Sequence, residues 1–210
     1  MTRRLDLPDG AEARGGLLHA PSAERNAGPI LDVLLPAMPP TGRVLELASG
    51  TGQHVAALAA ARAGLRFEPT EPDPLRRMTI DRRCAGLANV ARARDLDVAL
   101  PGWGAAGPWD AVMVVNLLHL ISDAEMSVLL DEAARGLARG GLFAIYGPFR
   151  RADAPMSPGD VAFDQSLRGQ DAAIGYKAVE VVESVLSALG LRTERVEMPA
   201  NNLMLLARAP

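Results

Sequence analysis

Short apolar runs alternate with longer helical patterns along this chain. Runs at Val44 to Ala48, Leu65 to Thr70, Val90 to Arg94, Ala111 to Val115 and Leu142 to Tyr146 are bounded by Gly, Pro or acidic residues and read as strands. Gln53 to Ala63, Pro74 to Ala85, Ser122 to Ala138 and Lys177 to Leu189 carry apolar residues near three- and four-residue spacing, the pattern of amphipathic helices. In "ISDAEMSVLLDEAARGLARGG" the boundary chemistry is explicit. Ser122 is an N-cap candidate with Glu125 three residues on, and Gly140 and Gly141 are expected to end the helix.

Repeated strand-helix units of this length imply a parallel sheet. The closing stretch "LRTERVEMPANNLMLLARAP" reads as two strands, Leu191 to Glu197 and Leu203 to Arg208, joined by a turn short enough to make them antiparallel. The expected fold is α/β, a doubly wound seven-stranded mostly parallel sheet with a C-terminal antiparallel hairpin. Residues 1–20 are expected to form an N-terminal arm and residues 21–210 a single domain. Ligands in such sheets bind at the carboxyl ends of the strands, where the winding reverses.

Composition narrows the classes. Hydrophobic content of 49% with 22% charged residues excludes a disordered chain, and no apolar run approaches the length of a membrane span. The N-terminus has two arginines but no apolar block behind them, so neither a secretory signal nor a transit peptide fits. Cys84 is the only cysteine, which suits a reducing cytoplasm, and it reads as a small buried hydrophobe rather than a nucleophile. A net charge of −3 supplies no basic field for nucleic acid. Arg76, Arg77, Arg82 and Arg83 read as a solvated helix face.

The chemistry concentrates in "VLELASGTGQH". Gly50 and Gly52 let the chain leave the first strand through a tight turn, bring backbone amides close to a ligand and open a helix. A P-loop would need Gly-Lys-Ser/Thr where this turn has Gly52-Gln53-His54, and a nicotinamide fingerprint would need glycine where Val55 stands. Glu71, in "RFEPTEPD", follows the turn at the spacing at which an acid accepts from ribose hydroxyls. Glu46, inside the first strand, is a second acid near the cleft, and a cationic ligand group would partner it.

These features, with "RDLDV" after the third strand and "WDAVMVVNLLHL" at the fourth, resemble the class I, Rossmann-like S-adenosylmethionine-dependent methyltransferases. The fragments "SAERNAGPIL", "LELASGTGQH", "VNLLHL", "YGPFRR", "FDQSLR" and "MPANNL" are further similar to the methyltransferase-like protein 26 family. The resemblance implies that the motif from Glu46 through Ala48, Gly50, Thr51 and Gly52 cradles the methionine part of the cofactor. It places Glu71 on the ribose and Asp97, with Asp95 as the alternative, at the adenine amino group; Asn116 and Leu117 would line the reactive end. At Ala48 the chain departs from the family, which often has glycine there.

For methyl transfer the protein must align a nucleophile and exclude water, with a general base only where the acceptor arrives protonated. His119 past the fourth strand and Tyr146 at the end of the fifth are the catalytic candidates. His54 is placed at the cofactor, and His19 has no comparable context. Glu24, Arg25 and Asn26 would face inward if "SAERNAGPIL" is a helix lying over the cofactor. The segment from Gly147 to Lys177 reads as a long loop, with Arg150, Phe163, Asp164 and Arg168 as substrate-side candidates. No metal motif is present.

The reading is thus a cytoplasmic S-adenosylmethionine-dependent methyltransferase acting on a small molecule, with no nucleic-acid or membrane partner. Its rivals are an NAD(P)-dependent oxidoreductase and a non-catalytic S-adenosylmethionine-binding protein.

Overall fold

A computed structural model describes residues 5–7 and 10–210. A two-stranded hairpin, β1 (Glu12–Arg14) and β2 (Leu17–His19), leads into helix α1 (Pro21–Ala37). Then follow β3 (Gly42–Leu47), α2 (Gln53–Ala61), β4 (Leu65–Pro69), α3 (Pro74–Arg83) and β5 (Trp109–Val115). The chain continues through α4 (Asp123–Gly136), β6 (Leu137–Arg150), α5 (Pro158–Gln170), β7 (Lys177–Ala178), α6 (Val179–Ala188), β8 (Arg192–Glu197) and β9 (Asn202–Arg208).

The main sheet runs β4-β3-β5-β6-β9-β8, with the short β7 beside β6. β4, β3, β5 and β6 are parallel, whereas β9 is antiparallel to both β6 and β8. The expected class therefore holds, including the terminal hairpin. Alternation along each strand feeds two cores. Leu45, Val112, Val114, Phe143, Ile145 and Leu205 face one side with α4 and α6, while Val44, Met113, Ala144 and Met204 face the other with α1 and α2.

Three expectations need correction. Val90 to Arg94 is not a strand, and it touches β4 only through bridges at Phe67–Val90 and Thr70–Arg94. Pro69 has no N–H to donate to this neighbour, and the pairing skips a residue there; the seventh strand of the sheet is instead Lys177–Ala178, beside β6. Gly140 and Gly141 do not end α4, which stops at Gly136, where a side chain would strike Trp109. The Gly147 to Lys177 segment is not a long loop. It completes β6 and then forms α5, started by a reciprocal capping box between Ser157 and Asp160 with Pro158 at the first helical turn.

Candidate functional site

β3 and β5 are parallel neighbours whose following strands, β4 and β6, lie on opposite sides of the pair, so the winding reverses between them, and a cavity of about 990 Å³ opens over their carboxyl ends. One end is built from the glycine turn. Glu46, the penultimate residue of β3, is 1% exposed, and its Oε2 has no hydrogen-bond partner. Burial raises its pKa to about 8; the Ser49 hydroxyl opposes this shift and the nearby Glu71 adds to it.

Ala48 (φ 49°), Gly50 (φ 58°) and Gly52 (φ 75°) all turn through the left-handed region. That conformation swings the Gly50 amide onto Glu71 Oε2 at 2.9 Å. Glu71 also accepts from the Asp73 amide at 3.2 Å, yet burial still leaves its pKa above the usual carboxylate range. Ala48, Gly50, Thr51 and His54 line the cavity. Gly52 instead packs on α3, where a Cβ would lie 3.0 Å from Ile80 Cγ1 and 3.1 Å from Ile80 Cα.

Farther along the wall, Asp97 lines the cavity and receives the Ala99 amide at 3.0 Å. The alternative, Asp95, is an exposed partner of Arg77 at 3.3 Å. Asn116 and Leu117 also line the cavity, and Asn116 takes a positive φ of 54° as the chain leaves β5.

Helix α1 closes one side. With its proton on Nε2, His54 donates to Asn26 Oδ1 at 2.8 Å. Burial lowers the His54 pKa to about 4 and raises that of Tyr146. Arg25 lines the cavity from an exposed position, while Glu24 pairs with Arg14 at 3.5 Å. His19 ends the β2 strand.

The other end of the cavity is apolar and aromatic. His119, Phe163 and Tyr176 meet edge to face with ring centroids 5.8, 6.0 and 6.1 Å apart. His119 is 5% exposed, and burial, assisted by the charge of Lys177, lowers its pKa to about 4. Leu5 and Leu7 pack on this cluster, and Asp6 exchanges two hydrogen bonds with the Gln170 side chain at 2.8 and 3.0 Å.

Asp160 ties three elements together here. It accepts from Ser157 Oγ (2.6 Å), the Tyr176 hydroxyl (3.1 Å) and Asn201 Nδ2 (3.1 Å), which brings the β8–β9 turn against α5. Of the expected substrate-side residues only Phe163 lines the cavity. Arg150 and Arg168 donate to the Tyr176 carbonyl, and Asp164 accepts the Tyr176 amide at 2.6 Å, so these three hold the aromatic wall from behind. Asp160, Tyr176 and Leu7 were not expected; the Ser157-Pro158-Gly159-Asp160 capping signature was the one sequence signal that could have found α5.

Cys84 is buried and its pKa is pushed by burial to about 11, so the thiol stays protonated. Among the described residues no three His, Cys, Asp or Glu side chains gather to hold a metal, and no helix is long and apolar enough to cross a membrane.

Solved structures share this fold. An O-methyltransferase family protein from Burkholderia thailandensis superposes with a TM-score of 0.78 at 17% identity, covering 90% of this chain and 57% of that one. An O-methyltransferase family 2 protein from Planctomyces limnophilus in complex with apigenin gives 0.75 at 16% identity, covering 90% and 60%. Human N-acetylserotonin methyltransferase in complex with S-adenosylmethionine gives 0.72 at 16%, covering 90% and 52%. The chain thus spans little more than half the length of these proteins. A family model matches residues 18–208, and the chain belongs to that family, described as protein of unknown function DUF938.

Proposed function

We propose that this protein is an S-adenosylmethionine-dependent methyltransferase whose acceptor is a small molecule methylated on a hydroxyl oxygen. The observation that carries the reading is the pair of buried acids, Glu46 and Glu71, with Glu46 Oε2 unpartnered at the cavity wall. Acids raised in pKa by burial favour a cationic or hydroxyl-rich ligand, and S-adenosylmethionine is both. Glu71 would accept from the ribose hydroxyls, Asp97 from the adenine amino group, and Glu46 would face the positive end of the methionine part, with the Ala48 to Thr51 backbone around it. Asn26 and His54 support the wall beside it.

When bound, the cofactor supplies an electrophilic methyl group on a sulfonium. The chain's own task is to orient the acceptor and keep water out. His119 is neutral above about pH 4, so its imidazole can accept a hydrogen bond from the acceptor hydroxyl and orient it, while its lowered pKa makes it a weak base. Tyr146 would orient the acceptor, and Phe163 and Tyr176 would flank a flat ring. Three similar structures are named as O-methyltransferases or a methyltransferase, one of them with apigenin bound, which supports an oxygen acceptor on a small molecule. The net charge of −3 and the buried thiol of Cys84 support a cytoplasmic protein that does not bind nucleic acid.

Isothermal titration with S-adenosylmethionine, S-adenosylhomocysteine and NAD tests the reading. Micromolar binding of the first two, weakened about 100-fold in Glu71→Ala, is the expected result. Binding of NAD alone, or an unchanged affinity in Glu71→Ala, would overturn it.

A further inference from the structure

A second cavity, of about 280 Å³, shares Tyr176 with the large one and is bounded by Ser122, Asp123, Arg150, Arg168 and Lys177. Three cations and one acid thus line it, and a second acid, Asp164, pairs with Arg168 from outside the lining. Lys177 is 6% exposed, and its one acceptor among the described residues is Asp123 Oδ1 at 2.7 Å. An ammonium has three N–H donors, so burying it with a single partner is costly. Asp123 itself is 84% exposed, so the partner of this buried charge stands in water.

The guanidinium groups of Arg150 and Arg168 are exposed, and they too have donors to spare. Arg150 donates through Nε to the Tyr176 carbonyl at 3.0 Å, and neither of its Nη atoms has an acceptor among the described residues. Arg168 uses Nε on Asp164 at 3.0 Å and Nη2 on Tyr176 at 3.5 Å, leaving Nη1. A tetrahedral oxyanion offers several acceptor oxygens to such a set, and arginine forks match it well. The start of α4, where Ser122 caps the helix, adds a favourable potential on the same side.

We propose that this cavity binds a phosphate group, held by Lys177 Nζ and the Arg150 and Arg168 guanidinium groups. Phosphate there replaces Asp123 as the main acceptor for Lys177. Because both arginines also hold the Tyr176 carbonyl, occupancy steadies the aromatic wall that Tyr176 shares with His119 and Phe163. The site stands whether or not the large cavity takes S-adenosylmethionine.

The test is calorimetric titration with inorganic phosphate at constant ionic strength, against wild type, Lys177→Met, Arg150→Gln and Asp123→Asn. Wild type should bind at millimolar concentration or tighter. Lys177→Met and Arg150→Gln should each weaken binding about tenfold or more, and Asp123→Asn should tighten it about threefold, a gain that misfolding cannot produce. Melting temperatures within a few degrees of wild type establish that the variants fold. No heat with wild type up to about 20 mM phosphate, far weaker than a paired anion site gives, or equal affinities across all four proteins, would overturn the assignment. Phenyl phosphate binding tighter than inorganic phosphate, with the gain lost in Phe163→Ala, would make the phosphate part of a larger ligand; equal affinities would make it the free ion.

Discussion

Two regions of the sheet treat their carboxylates in opposite ways. In mid-sheet, in register with Leu45 of β3, Glu68 accepts from Arg43 Nε at 2.8 Å and from Trp109 Nε1 at 3.2 Å, and the Arg43 amide donates to Asp110 at 2.7 Å. Burial pushes Glu68 upward, but the hydrogen bonds from Arg43 and Trp109 outweigh it and its pKa falls below the usual value. At the carboxyl end, Glu46 and Glu71 are more buried and have no cationic side chain in hydrogen-bond contact among the described residues, so their pKa values rise. A carboxylate with its own arginine serves the fold. One buried without such a partner costs stability, which is what makes Glu46 and Glu71 candidates for a ligand site.

Substitutions in the two regions should therefore separate stability from binding. The largest effect is expected at His119: in His119→Gln, methyl transfer from labelled S-adenosylmethionine to a panel of small phenols should fall about 10²-fold, while calorimetry shows S-adenosylhomocysteine binding within about twofold of wild type. The same variant should flatten the acid limb of stability. His119 has a folded pKa of about 4 against 6.5 when unperturbed, so its contribution is fully present above pH 6.5 and is lost as pH falls toward 4. A urea series across that window measures it.

Next in size, Glu68→Gln should cost about 2 kcal/mol in urea unfolding, the worth of hydrogen bonds to a charged group, with ligand affinity intact. Loss of binding in this variant would erase the distinction between the two regions. Glu46 offers a smaller, pH-dependent effect. With a pKa of about 8 it is mostly protonated at pH 7, and a cationic ligand favours its ionised form. S-adenosylmethionine affinity should then rise up to about tenfold per pH unit from pH 7 to 8 and level off above. Glu46→Gln should abolish that slope, and proton release on binding, read from titrations in buffers of different ionisation enthalpy, should vanish with it. The smallest effect belongs to Ala48, held at φ 49°. Ala48→Gly should stabilise the protein by up to about 1 kcal/mol in the same denaturation assay.

The two ends of the large cavity also differ in how far the sequence announces them. Glu46, Gly50, Thr51 and His54 lie in one short stretch, and Glu71 comes at a fixed distance after it because strand, turn, helix and strand have standard lengths. A local motif can be read as such. The aromatic end draws Leu7, His119, Tyr146, Phe163, Tyr176 and Asn202 from across the chain. Only His119, Tyr146 and Phe163 could be suspected from their places next to strands or in a supposed loop. Tyr176 and Asp160 are distant partners that meet because α5 folds back under the β8–β9 turn.

Alternation of apolar residues by itself determined the layers of this protein, because a strand buried on both faces and a helix buried on one leave different periodicities. The turn chemistry of Gly50 and Gly52 determined where the chain leaves β3, with Gly50 at the cavity and Gly52 against α3. Tertiary structure decided the rest: that Pro69 denies the Val90 to Arg94 segment a full ladder, that Asp97 faces the cavity while Asp95 pairs with Arg77, and that Lys177 is buried beside two arginines. Each of these depends on which distant group a side chain meets, and pairing across the chain leaves no periodic trace in the order of residues.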